Sequence, residues 1–184
     1  MNPDPQVYVL DTGPLSIFAR SQWLGALKAI LHGVRVLIPD VVADELRNGA
    51  GRYSFLHAVL EADWIEEVPL NTPEQLAAFA AYEQRLVGSN GRNLGECGVL
   101  ALAETTPQAV AVLDDRVAFQ AGRDRGVQIR RTLGLLCDAI RKGLLTVPLV
   151  SAIADDLLMN HYRLPFQPGD FARWAVQEGG LTES

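Results

Sequence analysis

Cysteine is almost missing from this chain. Among 184 residues only Cys97 and Cys137 occur, and they form no Cys-x-x-Cys pair. Histidine is nearly as scarce, with His32, His57 and His161 scattered and sharing no ligand spacing. A disulfide framework and a zinc site are thereby excluded, and both cysteines, set in apolar helical patterns, are expected as buried free thiols. Apolar runs are short. None approaches the roughly 20 residues of a membrane span, and Met1-Asn2-Pro3-Asp4-Pro5 lacks the basic start of a secretory signal, so a cytoplasmic, non-membrane protein is expected. Positive charge is also in deficit, with 16 Lys and Arg against 22 Asp and Glu. That balance argues against a simple polyanion-binding surface. It is a weak guide where carboxylates hold metal, because each divalent ion inverts the local sign. Repeats, low-complexity stretches and long linkers are absent as well, leaving one continuous domain over residues 1–184.

What is present is an alternation of short apolar runs with helical patterns. Val7-Tyr8-Val9-Leu10 predicts a buried strand, ending in the turn Asp11-Thr12-Gly13-Pro14. One helix is expected over about 15–31, stopped near Gly33, and then a strand at 34–38 closed by Pro39. A helix over about 41–47 has Asn48-Gly49 as its stop, and another is expected near 54–62. Residues 64–68 alternate like a short edge strand, and Thr72-Pro73-Glu74 opens a capped helix. Beyond a Gly/Asn/Ser loop at 88–93 come a helix at about 95–104 and the clearest strand, Ala109-Val110-Ala111-Val112-Leu113. A helix over about 117–125, a strand at 127–130 and two or three closing helices complete the chain, with a helical extension from about Leu149. This order indicates an α/β fold with a mainly parallel sheet.

Ligands of such sheets sit beyond the carboxyl ends of the strands, where strand order reverses. Two expected strand ends carry acids: Asp11, and the pair Asp114-Asp115. Taken singly, each acid has an ordinary structural use. Asp11, Asp114 or Asp115 can cap the following helix, Glu96 suits the positive end of its helix, and Glu45 can face solvent. As a set they suit a hard divalent cation, which takes oxygen ligands and serves phosphodiester cleavage.

Four segments, Val9-Leu10-Asp11-Thr12-Gly13-Pro14-Leu15, Val42-Ala43-Asp44-Glu45-Leu46, Leu94-Gly95-Glu96 and Val112-Leu113-Asp114-Asp115-Arg116, resemble the successive motifs of PIN domains in order and interval. The run Leu94 to Ala103 and the later Thr132-Leu133-Gly134-Leu135-Leu136 are similar to a prokaryotic PIN-like subgroup of predicted nucleic-acid-binding proteins, close to VapC-type toxins. The similarity spans nearly the whole chain, through Tyr162-Arg163-Leu164 and Glu178-Gly179-Gly180. It implies a three-layer α/β/α fold around the parallel sheet and a metal-dependent endoribonuclease using Mg²⁺ or Mn²⁺. Carried over by position, Asp11, Glu45, Glu96 and Asp115 form the metal-binding quartet, with Asp114 as substitute or as partner of a metal-bound water. Thr12 and Thr132 become polar neighbours that contribute hydroxyls for substrate binding rather than primary metal ligands. Arg131 stands where the subgroup usually has glycine, and with Arg116 it is expected to contact substrate phosphate. The implied partners are RNA, an antitoxin protein and a second copy of the chain in a homodimer.

Arg116, Arg123, Arg125, Arg130 and Arg131 crowd the sequence around the second acidic strand end. They form either a phosphate-binding rim or a solvated basic face. Trp23, Trp64 and Trp174 sit in apolar patterns that suit core packing. Two other functions compete: a PIN-like binding module without catalysis, and a phosphatase with a nucleophilic aspartate after the first strand. The second is disfavoured because Asp11-Thr12-Gly13 lacks the second acid of an Asp-x-Asp pattern.

Overall fold

Four apolar residues without polar alternation require cover on both faces, and strand β1 (Val7–Leu10) lies at the centre of a five-stranded sheet, buried throughout. The computed structural model describes residues 7–87 and 93–181, so the N-terminal segment and all but Asn93 of the 88–93 loop lie outside the described residues. The other strands are β2 (Arg35–Pro39), β3 (Ile65–Val68), β4 (Ala109–Val112) and β5 (Gln128–Arg130). Their order is β3-β2-β1-β4-β5, and every neighbouring pair is parallel. As expected, β3 is an edge strand, with the exposed acids Glu66 and Glu67 along it.

The chain winds outward from β1 to β3, then returns to place β4 on the other side of β1. The order therefore reverses between β1 and β4, where Leu10 registers with Val112. Helices cover both faces in a three-layer α/β/α arrangement. α1 (Thr12–Arg20), α2 (Leu24–Ile30), α3 (Asp40–Ala50) and α4 (His57–Leu60) connect the first three strands. α5 (Pro73–Leu86) and α6 (Leu94–Thr105) make the long return, and α7 (Arg116–Asp124) joins β4 to β5. α8 (Thr132–Arg141), α9 (Val147–Met159) and α10 (Phe171–Gln177) follow. α6 is apolar almost all round and buried from Cys97 to Ala103, as a helix enclosed by its neighbours must be. No helix among the described residues is long and apolar enough to cross a membrane.

Two expectations are corrected. The single helix over 15–31 is two, α1 and α2. Gln22 takes a left-handed conformation (φ 63°) and donates to Ala19 O at 3.1 Å, while Trp23 N–H donates to Phe18 O at 2.8 Å. That is a Schellman stop built without glycine, which hides it from sequence reading. Trp23 then anchors the turn by donating Nε1–H to Asp156 at 2.7 Å. The second correction is at Asn48-Gly49, where α3 does not stop but runs to Ala50. Gly49 is small for another reason: a Cβ there would stand 2.7 Å from Leu56 Cδ1, in the 3-10 turn Ser54–Leu56 packed against α3. Cys97 and Cys137 are free and buried, as expected. The tryptophans pack partly buried against the core.

Candidate active site

Sheet register delivers Asp11 to the reversal point. Its N–H continues the ladder to Val112 O at 3.0 Å, and its carboxylate caps α1 by accepting from Gly13 N–H at 3.3 Å. The side chain is buried (8% exposed). Burial, then the negative charges of Glu96 and Glu45, push its pKa up to about 8, against the lowering effect of the Gly13 and Thr12 amides.

Glu96, half-buried in the first turn of α6, is raised in the same direction, by burial first and then by Glu45 and Asp115. Glu45 comes from α3 and is held at both oxygens. Thr12 donates its hydroxyl to Oε2 at 2.5 Å, and Gly95 N–H donates to Oε1 at 3.2 Å. Gly95 permits that approach, because a Cβ would lie 2.8 Å from one oxygen and 2.9 Å from the other.

Asp115 caps α7, its Oδ1 accepting from Val117 and Ala118 N–H, both at 2.8 Å. Its Oδ2 has no hydrogen-bond donor among the described residues. Asp114 is turned to a different task. Its Oδ1 accepts from Thr132 N–H at 3.0 Å, and its Oδ2 from the Thr132 hydroxyl at 2.6 Å and from the Tyr162 hydroxyl. This clip fastens the end of β4 to the start of α8 and to the segment after α9. The Tyr162 phenol is pushed above its ordinary range by burial and by Asp114.

Repulsion between negative charges couples Asp11 to Glu96 and Glu45, and Glu96 in turn to Glu45 and Asp115, while Asp114 is spoken for by Thr132 and Tyr162. Capping and clustering coexist: Asp11 and Asp115 do both. Among the described residues no three His, Cys, Asp or Glu side chains are already gathered about a common ion position. Thr12 adjoins the cluster through Glu45, and Thr132 sits behind it through Asp114. Arg116, next to Asp115, is exposed and makes no ion pair among the described residues. Arg131 is exposed, its guanidinium carbon 4.6 Å from the centre of the Phe119 ring. Sequence reasoning gave Tyr162 no role at the site. It lies 48 residues from Asp114, and no local pattern signals such a contact.

A five-stranded parallel sheet whose strand order reverses between β1 and β4, with acids following both strands, defines a doubly wound α/β protein. More particularly, the chain belongs to the PIN domain family, whose model matches residues 7–167, from β1 to shortly beyond α9. No curated protein matches it. Among solved structures, one chain of the crystal structure of VapBC2 from Rickettsia felis, bound to a DNA fragment from their promoter, superposes with a TM-score of 0.49 and 14% identity, over 68% of this chain and 98% of that one.

Proposed function

We propose that the chain is a metal-dependent endoribonuclease in which Asp11, Glu45, Glu96 and Asp115 hold Mg²⁺ or Mn²⁺. PIN domains are generally nucleases, which supports the hydrolase class. The observation that carries the reading is the condition of Asp11: a buried carboxyl under the negative charges of Glu96 and Glu45, with no cationic side chain acting on it among the described residues, its pKa raised to about 8. Such a group is costly unless something positive is meant to join it. The donors fit that role, since all are carboxylates and hard divalent ions prefer oxygen.

A bound divalent ion would supply water of lowered pKa and neutralise charge on the scissile phosphate. The chain's own residues position the donors. Thr12 and Gly95 fix Glu45, the α7 amides fix Asp115 while leaving Oδ2 free, and Asp114 braces the loop that carries Asp115. This favours Asp115 over Asp114 as the ligand. The exposure of Arg116 and Arg131 supports their use against phosphate oxygens, and the Thr132 hydroxyl is bonded to Asp114.

Cleavage of a single-stranded RNA with Mn²⁺, compared among wild type, Asp11→Asn and Asp115→Asn, tests the reading. Loss of cleavage in both variants is expected, and unaffected cleavage removes the assigned site. A role as the toxin of a toxin–antitoxin pair, with an antitoxin partner and homodimerisation, follows from the motif likeness to VapC-type toxins. Growth arrest on expression, relieved by a small protein encoded alongside, checks that role.

A second reading, a binding module without catalysis, is favoured by the oxygens already engaged: both of Glu45, both of Asp114 and one of Asp115. Tight RNA binding with no cleavage in any divalent metal would establish it.

A further inference from the structure

Acids outnumber cations 22 to 16, and several arginines of the described residues are neutralised by them. Arg35 pairs with Glu66, Arg47 with Asp44 and Glu67, Arg85 with Asp124, Arg125 with Glu104, and Arg130 with Asp138. Of the arginines that make no ion pair among the described residues, Arg123, Arg131 and Arg163 stand together. All three are exposed, none has a carboxylate partner among the described residues, and all three line one open groove of about 590 Å³. Three guanidiniums gathered in one groove make a local positive patch on a net-acidic chain, a place where an anion is attracted.

The groove is ordered in advance. The ring of Phe119 holds two of the forks, with Arg131 at 4.6 Å and Arg123 at 5.9 Å from its centre. This restrains them before anything binds. Between the cationic walls the lining is apolar, with Leu133 and Leu164 among its residues. One end of the groove reaches Asp114, the neighbour of Asp115. Tyr162 lines both this groove and the hollow that contains Thr12 and Glu45.

We propose that this groove is the track by which a single-stranded RNA reaches the acid cluster, with Arg123, Arg131 and Arg163 gripping its phosphates and its bases lying over the apolar lining. Guanidinium forks match phosphate oxygens in pairs. The lining selects a single strand, because a duplex hides its base faces and presents only backbone. The direction of travel rests on the ribonuclease reading; the grip itself does not.

The test separates the two. Fluorescence anisotropy of a labelled single-stranded RNA dodecamer is measured with the full chain in EDTA, where nothing is cut. Arg123→Ala, Arg131→Ala and Arg163→Ala are each expected to weaken binding roughly five- to tenfold. The triple variant should lower the slope of log affinity against log salt by about 2, as three lost phosphate contacts require. Arg35→Ala, at the opposite end of the sheet, should bind as wild type does. Arg131→Lys should recover only part of the loss, since it keeps the charge and not the fork. RNA binding that is absent in wild type, or indifferent to the triple substitution, overturns the track. So does a triple variant that loses binding of a polyglutamate peptide but not of RNA, which would assign the groove to an acidic protein segment. Track-dependent binding without cleavage in Mn²⁺ leaves the track standing and removes the ribonuclease reading; Asp11-dependent cleavage with arginine-independent binding does the reverse.

Discussion

Thr12 and Glu45, 33 residues apart in sequence, share a 2.5 Å hydrogen bond that ties the first turn of α1 to α3. The remaining oxygen of the same carboxylate takes Gly95 N–H from the start of α6 at 3.2 Å, so three helices meet on one side chain. Gly95→Ala tests what that convergence does. The new Cβ would fall within 2.9 Å of both carboxylate oxygens, and the flexible glutamate would swing away. Replacing a helical glycine by alanine otherwise stabilises by about 0.5–1 kcal/mol. The expected result is an unchanged or raised Tm together with roughly tenfold weaker Mn²⁺ binding by calorimetry. A lowered Tm with full metal affinity would show that Glu45 is held for packing alone.

Asp11 and Asp115 each cap a helix and face other acids, and one substitution separates the two roles. Asparagine keeps the capping oxygen and removes the charge. Asp11→Asn and Asp115→Asn should therefore retain or gain thermal stability while RNA cleavage in Mn²⁺ falls by about 100-fold or more. Asp115→Ala should lose the same activity and about 1 kcal/mol of stability besides, through the two α7 amides left without an acceptor. Asparagine variants that cut normally would reduce both acids to caps.

Much of this architecture was legible because strand burial leaves a plain signature. The apolar runs of β1 and β4 marked two strands that end in acids, and Thr72 followed by Pro73 marked the start of α5. What failed to show was set by contacts distant in sequence. The break between α1 and α2 depends on Gln22 accepting a conformation that glycine usually fills, and on Trp23 reaching Asp156. Gly49 was read as a helix stop when its smallness serves the packing of Leu56. Motif position alone prefers Asp115 to Asp114 in the sequence; the hydrogen bonds of Thr132 and Tyr162 to Asp114 are a physical difference between the two acids that only the fold supplies.

That distinction is itself testable. Tyr162→Phe removes one of the two hydroxyls on Asp114 Oδ2 and leaves the Thr132 contacts in place. A loss of about 0.5–1.5 kcal/mol in urea unfolding is expected. Thr132→Val strips the other hydroxyl from a fully buried position and should cost more, about 1–3 kcal/mol. Both variants should keep wild-type Mn²⁺ affinity within about threefold, because Asp114 braces the site rather than binding the ion. A Tyr162→Phe protein of unchanged stability that no longer binds Mn²⁺ would reverse the assignment of Asp114 and Asp115.

The raised pKa of Asp11 fixes the sign of a pH dependence. Its carboxyl titrates near 3.8 in the ordinary state and at about 8 when folded. Between those values the folded protein holds a proton that the unfolded chain has released. Stability from this group is therefore complete below about pH 4 and declines as pH rises toward 8, with a limiting slope of about 1.4 kcal/mol per pH unit. Glu96 is shifted in the same direction and adds to the decline. Glu104 and Asp124 are shifted downward, so their effects fall at acid pH, outside this window. In EDTA the Tm of wild type should drop between pH 5 and pH 8, while Asp11→Asn, which has no proton to lose there, should show a flatter profile and the higher Tm at pH 8. Mn²⁺ replaces the proton, so added metal should stabilise wild type far more at pH 8 than at pH 5 and Asp11→Asn little at either. A wild-type profile as flat as that of Asp11→Asn would mean that Asp11 is ionised in the apo fold, and that the cluster holds its charge without a cation.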